Sequence, residues 1–76
     1  MNQTYRTADL YEAAALYTTG EKLADIDTTR KPYAFVFEDA TVGKIKALEY
    51  ANNELAVLAK DYADAVKLLK AKVNTL

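Results

Sequence analysis

Four carboxylates crowd the two ends of one short stretch, Asp25 and Asp27 at its start and Glu38 and Asp39 at its finish. Oxygen ligands of this kind suit hard divalent cations, and paired acids perform general acid–base work. Each acid also has a simpler role in the pattern around it. Asp39 stands before a helical run as an N-cap and Glu38 ends a strand, while Asp25 and Asp27 are charges that keep an edge strand from pairing with another chain. The cluster is therefore expected to carry neither catalysis nor a metal. The 76 residues include no Cys and no His, which removes thiol nucleophiles, disulfides, Cys/His zinc sites and imidazole bases together. Gly20 and Gly43 stand alone, and Gly43-Lys44 lacks both the upstream glycine and the following hydroxyl of a phosphate-binding loop. No cofactor and no enzymatic activity are expected.

The aromatic and basic residues offer binding chemistry instead. Tyr33, Phe35 and Phe37 alternate along one strand and share a face, with Ala34 and Val36 on the other. With residues 28 to 32 as the connecting loop, Asp27 falls opposite Tyr33, Asp25 opposite Phe35 and Leu23 opposite Phe37; a slip of one residue is the alternative register. Ala24, Ile26, Ala34 and Val36 then form an aliphatic face suited to the helices. The aromatic face, with Arg30 and Lys31 in the adjoining loop, is the candidate partner-binding site, since buried aromatics anchor interfaces. The competing reading folds helix 1 or residues 55 to 58 over that face. Lys44, Lys46, Lys60, Lys67, Lys70 and Lys72 are, with the loop pair, the only material for a nucleic-acid surface, and Lys60, Lys67, Lys70 and Lys72 make its alternative site. Because Asp64 alternates with Lys60 and Lys67, that face is patterned for ion pairs and not for tracking phosphates.

Ten basic and eleven acidic side chains leave a net charge of −1, too little to draw the whole chain onto nucleic acid or a membrane. Residues 1 to 43 carry seven acids against four bases, and residues 44 to 76 carry four acids against six lysines, so the second half is mildly basic. The apolar run from Ala13 to Tyr17 is too short for a signal-peptide core, and nothing approaches the roughly 18 apolar residues of a spanning helix. A cytoplasmic protein without membrane contact is expected.

The elements that must position these residues follow from periodicity. Leu10, Ala13, Ala14 and Tyr17 fall at i, i+3, i+4 and i+7, which predicts a helix over 8–18 capped by Thr7 or Asp9 and stopped at Gly20. Residues 22–38 read as an antiparallel hairpin whose polar connector contains Pro32. A single helix over residues 40 to 73 would be roughly 51 Å long, too long for so small a core. Asn52-Asn53 is a favourable stop, so two helices are expected, 40–51 and 59–73. Tyr62, Val66, Leu69 and Val73 form the stripe of the last one. Leu55 to Leu58 either begin that helix or form a short extended segment. The reading is a small single α+β domain in the order helix, strand, strand, helix, helix, with the hairpin packed by helices.

Asp9-Leu10-Tyr11-Glu12-Ala13-Ala14, Gly20-Glu21-Lys22-Leu23, Phe35-Val36-Phe37-Glu38-Asp39, Tyr62-Ala63-Asp64-Ala65 and Leu69-Lys70 together resemble a family of small proteins built on a domain of unknown function. Its members are short reading frames of bacteriophages, archaea and mobile elements. The resemblance covers about residues 8 to 73 and includes Tyr50 and Asn52-Asn53, where the family usually carries Tyr and Asn-Gly. It implies this fold and a viral or mobile-element origin, and it brings no activity. The expected function is a non-enzymatic protein-interaction module that modulates a host factor, working as a homodimer with an unidentified protein partner. A nucleic-acid-binding accessory protein is the alternative, and a structural or assembly subunit is third.

Overall fold

The computed structural model describes residues 3–76. Its elements are β1 (Tyr5–Thr7), α1 (Leu10–Thr18), β2 (Leu23–Asp27), β3 (Ala34–Phe37), α2 (Ala40–Ala51) and α3 (Ala59–Asn74). The α+β class is as expected, and a strand precedes the five elements read from the sequence. That strand completes an antiparallel sheet in the order β1-β3-β2, so β3 is central and hydrogen-bonded on both edges. Three strands and a covering layer are what a sheet this small needs for stability.

The helix ends follow local chemistry. Asp9 caps α1, its Oδ1 accepting from the amides of Tyr11 (2.9 Å) and Glu12 (3.3 Å), while Thr7 lies in β1. At the other end Gly20 adopts φ +97°, and the amides of Gly20 and Glu21 donate to the carbonyls of Tyr17 and Leu16. This pair of bonds satisfies carbonyls that the helix leaves open. Asn53 repeats the arrangement after α2 with φ 59°, Asn53 donating to Tyr50 and Glu54 to Glu49. An asparagine thus supplies the left-handed residue where glycine would be the usual choice. Asp39 caps α2 through the Val42 amide (3.1 Å). Residues 54–58 then run without regular structure into α3, which resolves the Leu55 to Leu58 alternatives as an irregular connector.

The core lies between one face of the sheet and the helices α1 and α3. Phe35 and Phe37 meet Ala13, Ala14 and Leu16 of α1 and Ala65 and Leu69 of α3, with Tyr5, Leu23, Ile26, Tyr62, Val66 and Val73 packed around them. Four consecutive residues of α1, Ala13 to Leu16, are buried, so that turn of the helix is covered on all sides, while Tyr11 and Tyr17 at its two ends stay exposed. Its alanines let the neighbouring elements close tightly.

Two expectations are corrected here. The first expected register holds only at Leu23 opposite Phe37; beyond a bulge before Asp25 the alternative, slipped by one residue, is found, with Asp25 opposite Val36, Ile26 opposite Phe35 and Asp27 opposite Ala34. The extra residue in a bulge shifts every later side chain to the other face. It thereby turns Ile26 inward beside Leu23 and both aspartates outward, which a regular ladder could not do. The second correction concerns the faces. The aromatic side of β3 packs on the helices, with α1 folded over it as in the competing reading and α3 beside α1, and the side bearing Val36, Ala34, Asp25 and Asp27 is the outer one.

Tyr5 ties β1 to α1, its hydroxyl donating to Glu12 Oε2 at 2.9 Å. Burial, together with that hydrogen bond and the Glu12 and Asp9 charges, pushes its phenol up to about 12. A proton held more tightly in the folded chain than in the unfolded one stabilises fully below the ordinary tyrosine value and is lost as pH rises through the folded value. Melting curves from pH 9 to 12 should therefore show Tyr5→Phe losing less stability than the parent protein across that interval. Parallel losses would place the alkaline sensitivity elsewhere.

Candidate functional site

The structure separates the residues of the expected partner site. Phe35 and Phe37 are 3% and 0% exposed, so neither is a surface anchor. α1 and α3 cover them, because two aromatic rings are the largest apolar surface the sheet offers and this chain has a single core in which to bury them. Tyr33 sits half-buried just before β3, and Arg30 and Lys31 remain exposed in the loop. Arg30 lines a cleft of about 450 Å³ with Arg6, Asp27, Thr29, Pro32 and Ala34.

Charge in that cleft is already engaged. Asp27 Oδ1 accepts from the Thr29 hydroxyl (2.6 Å) and the Thr29 amide (2.9 Å), and its other oxygen pairs with Arg6. Arg6 stands opposite Val36 on β1 and Asp27 opposite Ala34 on β2, so this ion pair crosses β3 on the outer face of the sheet. The Thr29 hydroxyl and amide, with Arg6, hold the Asp27 carboxyl well below its usual range, at about 2. The remaining acids are also occupied: Asp25 Oδ1 accepts from the Ile26 amide at 2.8 Å, Glu38 lies 3.9 Å from Lys22, and Asp39 is a helix cap. Among the described residues no group of three or more acids is placed to hold a metal ion.

The lysines divide in the same way. Lys46 is drawn inward, donating to Glu21 Oε2 at 2.7 Å and to the Thr19 carbonyl at 2.8 Å. It fastens α2 to the end of α1 and is a structural residue, not part of a nucleic-acid surface. Lys60 pairs with Asp64 at 2.9 Å along α3, and Lys67, Lys70 and Lys72 stay exposed on that helix. A tyrosine group links the helices at one end, where the Tyr62 hydroxyl donates to the Tyr11 carbonyl at 3.2 Å. Burial and the nearby Tyr50 hydroxyl push the Tyr62 phenol above its ordinary value.

The surface feature that the sequence pattern did not reveal is on α2. Its inner face carries Gly43 and Ala47, both buried, and Gly43 comes so close to β1 that an added Cβ would lie 2.6 Å from the Cβ of Tyr5. The helix therefore packs by its small side. Ile45 and Leu48, the large aliphatic residues, point the other way and are 56% and 63% exposed. The pairing of Gly43 with Ala47 four residues later was the available signal, since small residues at that spacing mark a face of close approach.

No helix among the described residues is long and apolar enough to cross a membrane. Comparison with curated proteins and with solved structures finds no match. A family model does match, over residues 2–75, which is nearly the whole chain, and by it the chain belongs to the family described as a domain of unknown function, DUF5659.

Proposed function

We propose that the chain is a non-enzymatic protein-interaction module of phage or mobile-element origin, acting in the cytoplasm on a host factor and docking protein through the outer face of α2. The observation that carries this reading is the outward placement of Ile45 and Leu48 on a helix whose fully buried residues, Gly43 and Ala47, are both small. Two neighbouring aliphatic side chains left in water cost hydrophobic stabilisation that a partner surface would recover. This face replaces the buried Phe35 and Phe37 as the place of contact. The resemblance to short phage and mobile-element reading frames supports the origin, and the genes flanking this one test it.

A photo-crosslinking residue placed at Leu48 in producing cells should give protein adducts identifiable by mass spectrometry, and the same residue at Lys70 should give none. Absence of any protein adduct from position 48 would overturn the proposal. So would tight binding of single-stranded or duplex nucleic acid in fluorescence anisotropy near physiological salt, steeply weakened by added salt and by Lys67→Glu with Lys70→Glu, because phosphate neutralisation carries that signature.

A further inference from the structure

We infer that the outer face of α2 receives the α2 of a second copy of this chain, the two helices lying parallel about a two-fold axis. This rests on the reading that α2 docks protein, and it names the partner. At 3.6 residues per turn, Thr41, Ile45, Leu48 and Asn52, the residue that caps the end of α2, fall within about 60° of one another. Their spacing of four, three and four residues is the alternation of d and a positions in a heptad repeat. Inner positions of the same helix hold Gly43, Lys46, Ala47 and Tyr50, each buried or half-buried, while Thr41, Ile45, Leu48 and Asn52 are all exposed. The seam is thus complete on the side that the rest of the domain leaves open.

The composition of the seam selects its occupant and direction. A β-branched residue at a with leucine at d favours two parallel strands, and a single asparagine at a fixes register; Ile45, Leu48 and Asn52 hold those places. The flanks agree. Lys44 and Glu49 lie about 70° to either side of the seam's centre, five residues apart, at the g and e positions that meet across a parallel pair. Neither takes part in an ion pair among the described residues. In a parallel dimer Lys44 of each copy meets Glu49 of the other, giving two equivalent pairs around the apolar centre. Antiparallel packing would instead bring each flank against its own kind, lysine beside lysine. A partner of unrelated sequence would have no reason to match this self-complementary charge pattern. Isolated helices of 12 residues are marginal in water, but here the domain already holds α2 in shape, so the seam has only to associate.

The full-length protein is tested by sedimentation velocity from low micromolar to near-millimolar concentration, expecting a shift from the 8.4 kDa chain toward twice that mass. Lys44→Glu and Glu49→Lys should each weaken association by about tenfold or more, and the double exchange should restore it to within a few-fold. Circular dichroism at low concentration should show all three folded, since Lys44 is exposed, Glu49 is only half-buried and neither takes part in an ion pair among the described residues. Direction is read from Thr41→Cys, in a chain otherwise free of cysteine. A disulfide needs Cα atoms within about 7 Å, so parallel copies should oxidise readily to a covalent dimer; in an antiparallel pair the two positions would lie about 16 Å apart along the axis. A monomer at every concentration overturns the inference, as does a dimer indifferent to the single exchanges or one that Thr41→Cys fails to trap. If the protein is monomeric and position 48 still crosslinks a different protein, this inference falls and the docking role of α2 stands; if neither is seen, both fall.

Discussion

Phe37→Ala should leave the domain largely unfolded well below the parent protein's melting temperature. Phe37 is fully buried, sits on the central strand between Tyr5 of β1 and Leu23 of β2, and belongs to the cluster that joins the sheet to α1 and α3. Truncating a buried phenylalanine costs about 3 to 5 kcal/mol, transfer and cavity together. A chain of this length has a total stability of only about 4 to 11 kcal/mol. The loss therefore consumes roughly a quarter of the stability at least, and at roughly 4 to 8 °C per kcal/mol for a domain this size it lowers the melting temperature by tens of degrees. Leu69→Ala, at the fully buried leucine of α3, should follow with about 2 to 5 kcal/mol. Lys67→Ala, two residues away and exposed, should change little. Thermal and urea melts followed by circular dichroism decide it. If Phe37→Ala melted within a few degrees of the parent, the core would not be centred where three strands and two helices meet.

Some of this architecture was legible because local chemistry and tertiary packing agree. The α3 stripe of Tyr62, Val66, Leu69 and Val73 keeps a helical period, and all four residues pack against or within the core. Asp9, Gly20, Asp39 and Asn52-Asn53 mark helix ends through bonds made within a few residues. Other features depend on contacts distant in sequence. Three residues, Tyr5 to Thr7, are too few to show a strand period, and they become a strand only because β3 offers a free edge. The bulge before Asp25 has no marker residue, yet it decides which face of β2 meets water. Phe35 and Phe37 were misplaced in the candidate site for a related reason: alternation placed them on one face correctly but could not say whether that face was covered, and coverage came from helices on both sides of the hairpin in sequence.

The same distinction between local and distant contacts sets the sign of a second large effect, at Gly43. Replacing glycine with alanine inside a helix normally stabilises it by up to about 1 kcal/mol, because alanine has less backbone freedom to lose. At Gly43 the result should be reversed. The added Cβ would meet the Tyr5 Cβ at 2.6 Å and the Tyr5 Cγ at 2.9 Å. No rotation of Tyr5 moves its own Cβ, which is fixed by the pairing of Tyr5 with Phe37, and the ring is held at its far end by Glu12. Relief requires α2 to draw back from β1. That movement would strain the bond from the Ala40 amide to the Gln3 carbonyl (2.9 Å) and the attachment of Lys46 to Glu21 and Thr19. Overpacking of this kind costs about 1 to 3 kcal/mol, more than the propensity gain, so Gly43→Ala should melt below the parent protein. Thr41→Ala, on the opposite and exposed side of the same helix, should be neutral or slightly stabilising. Removing the Tyr5 Cβ as well should abolish the penalty: in urea titrations Gly43→Ala should cost nothing in a Tyr5→Gly background. A Gly43→Ala protein as stable as the parent would mean that α2 does not rest on β1 at this distance, and the outward placement of Ile45 and Leu48 would lose its cause.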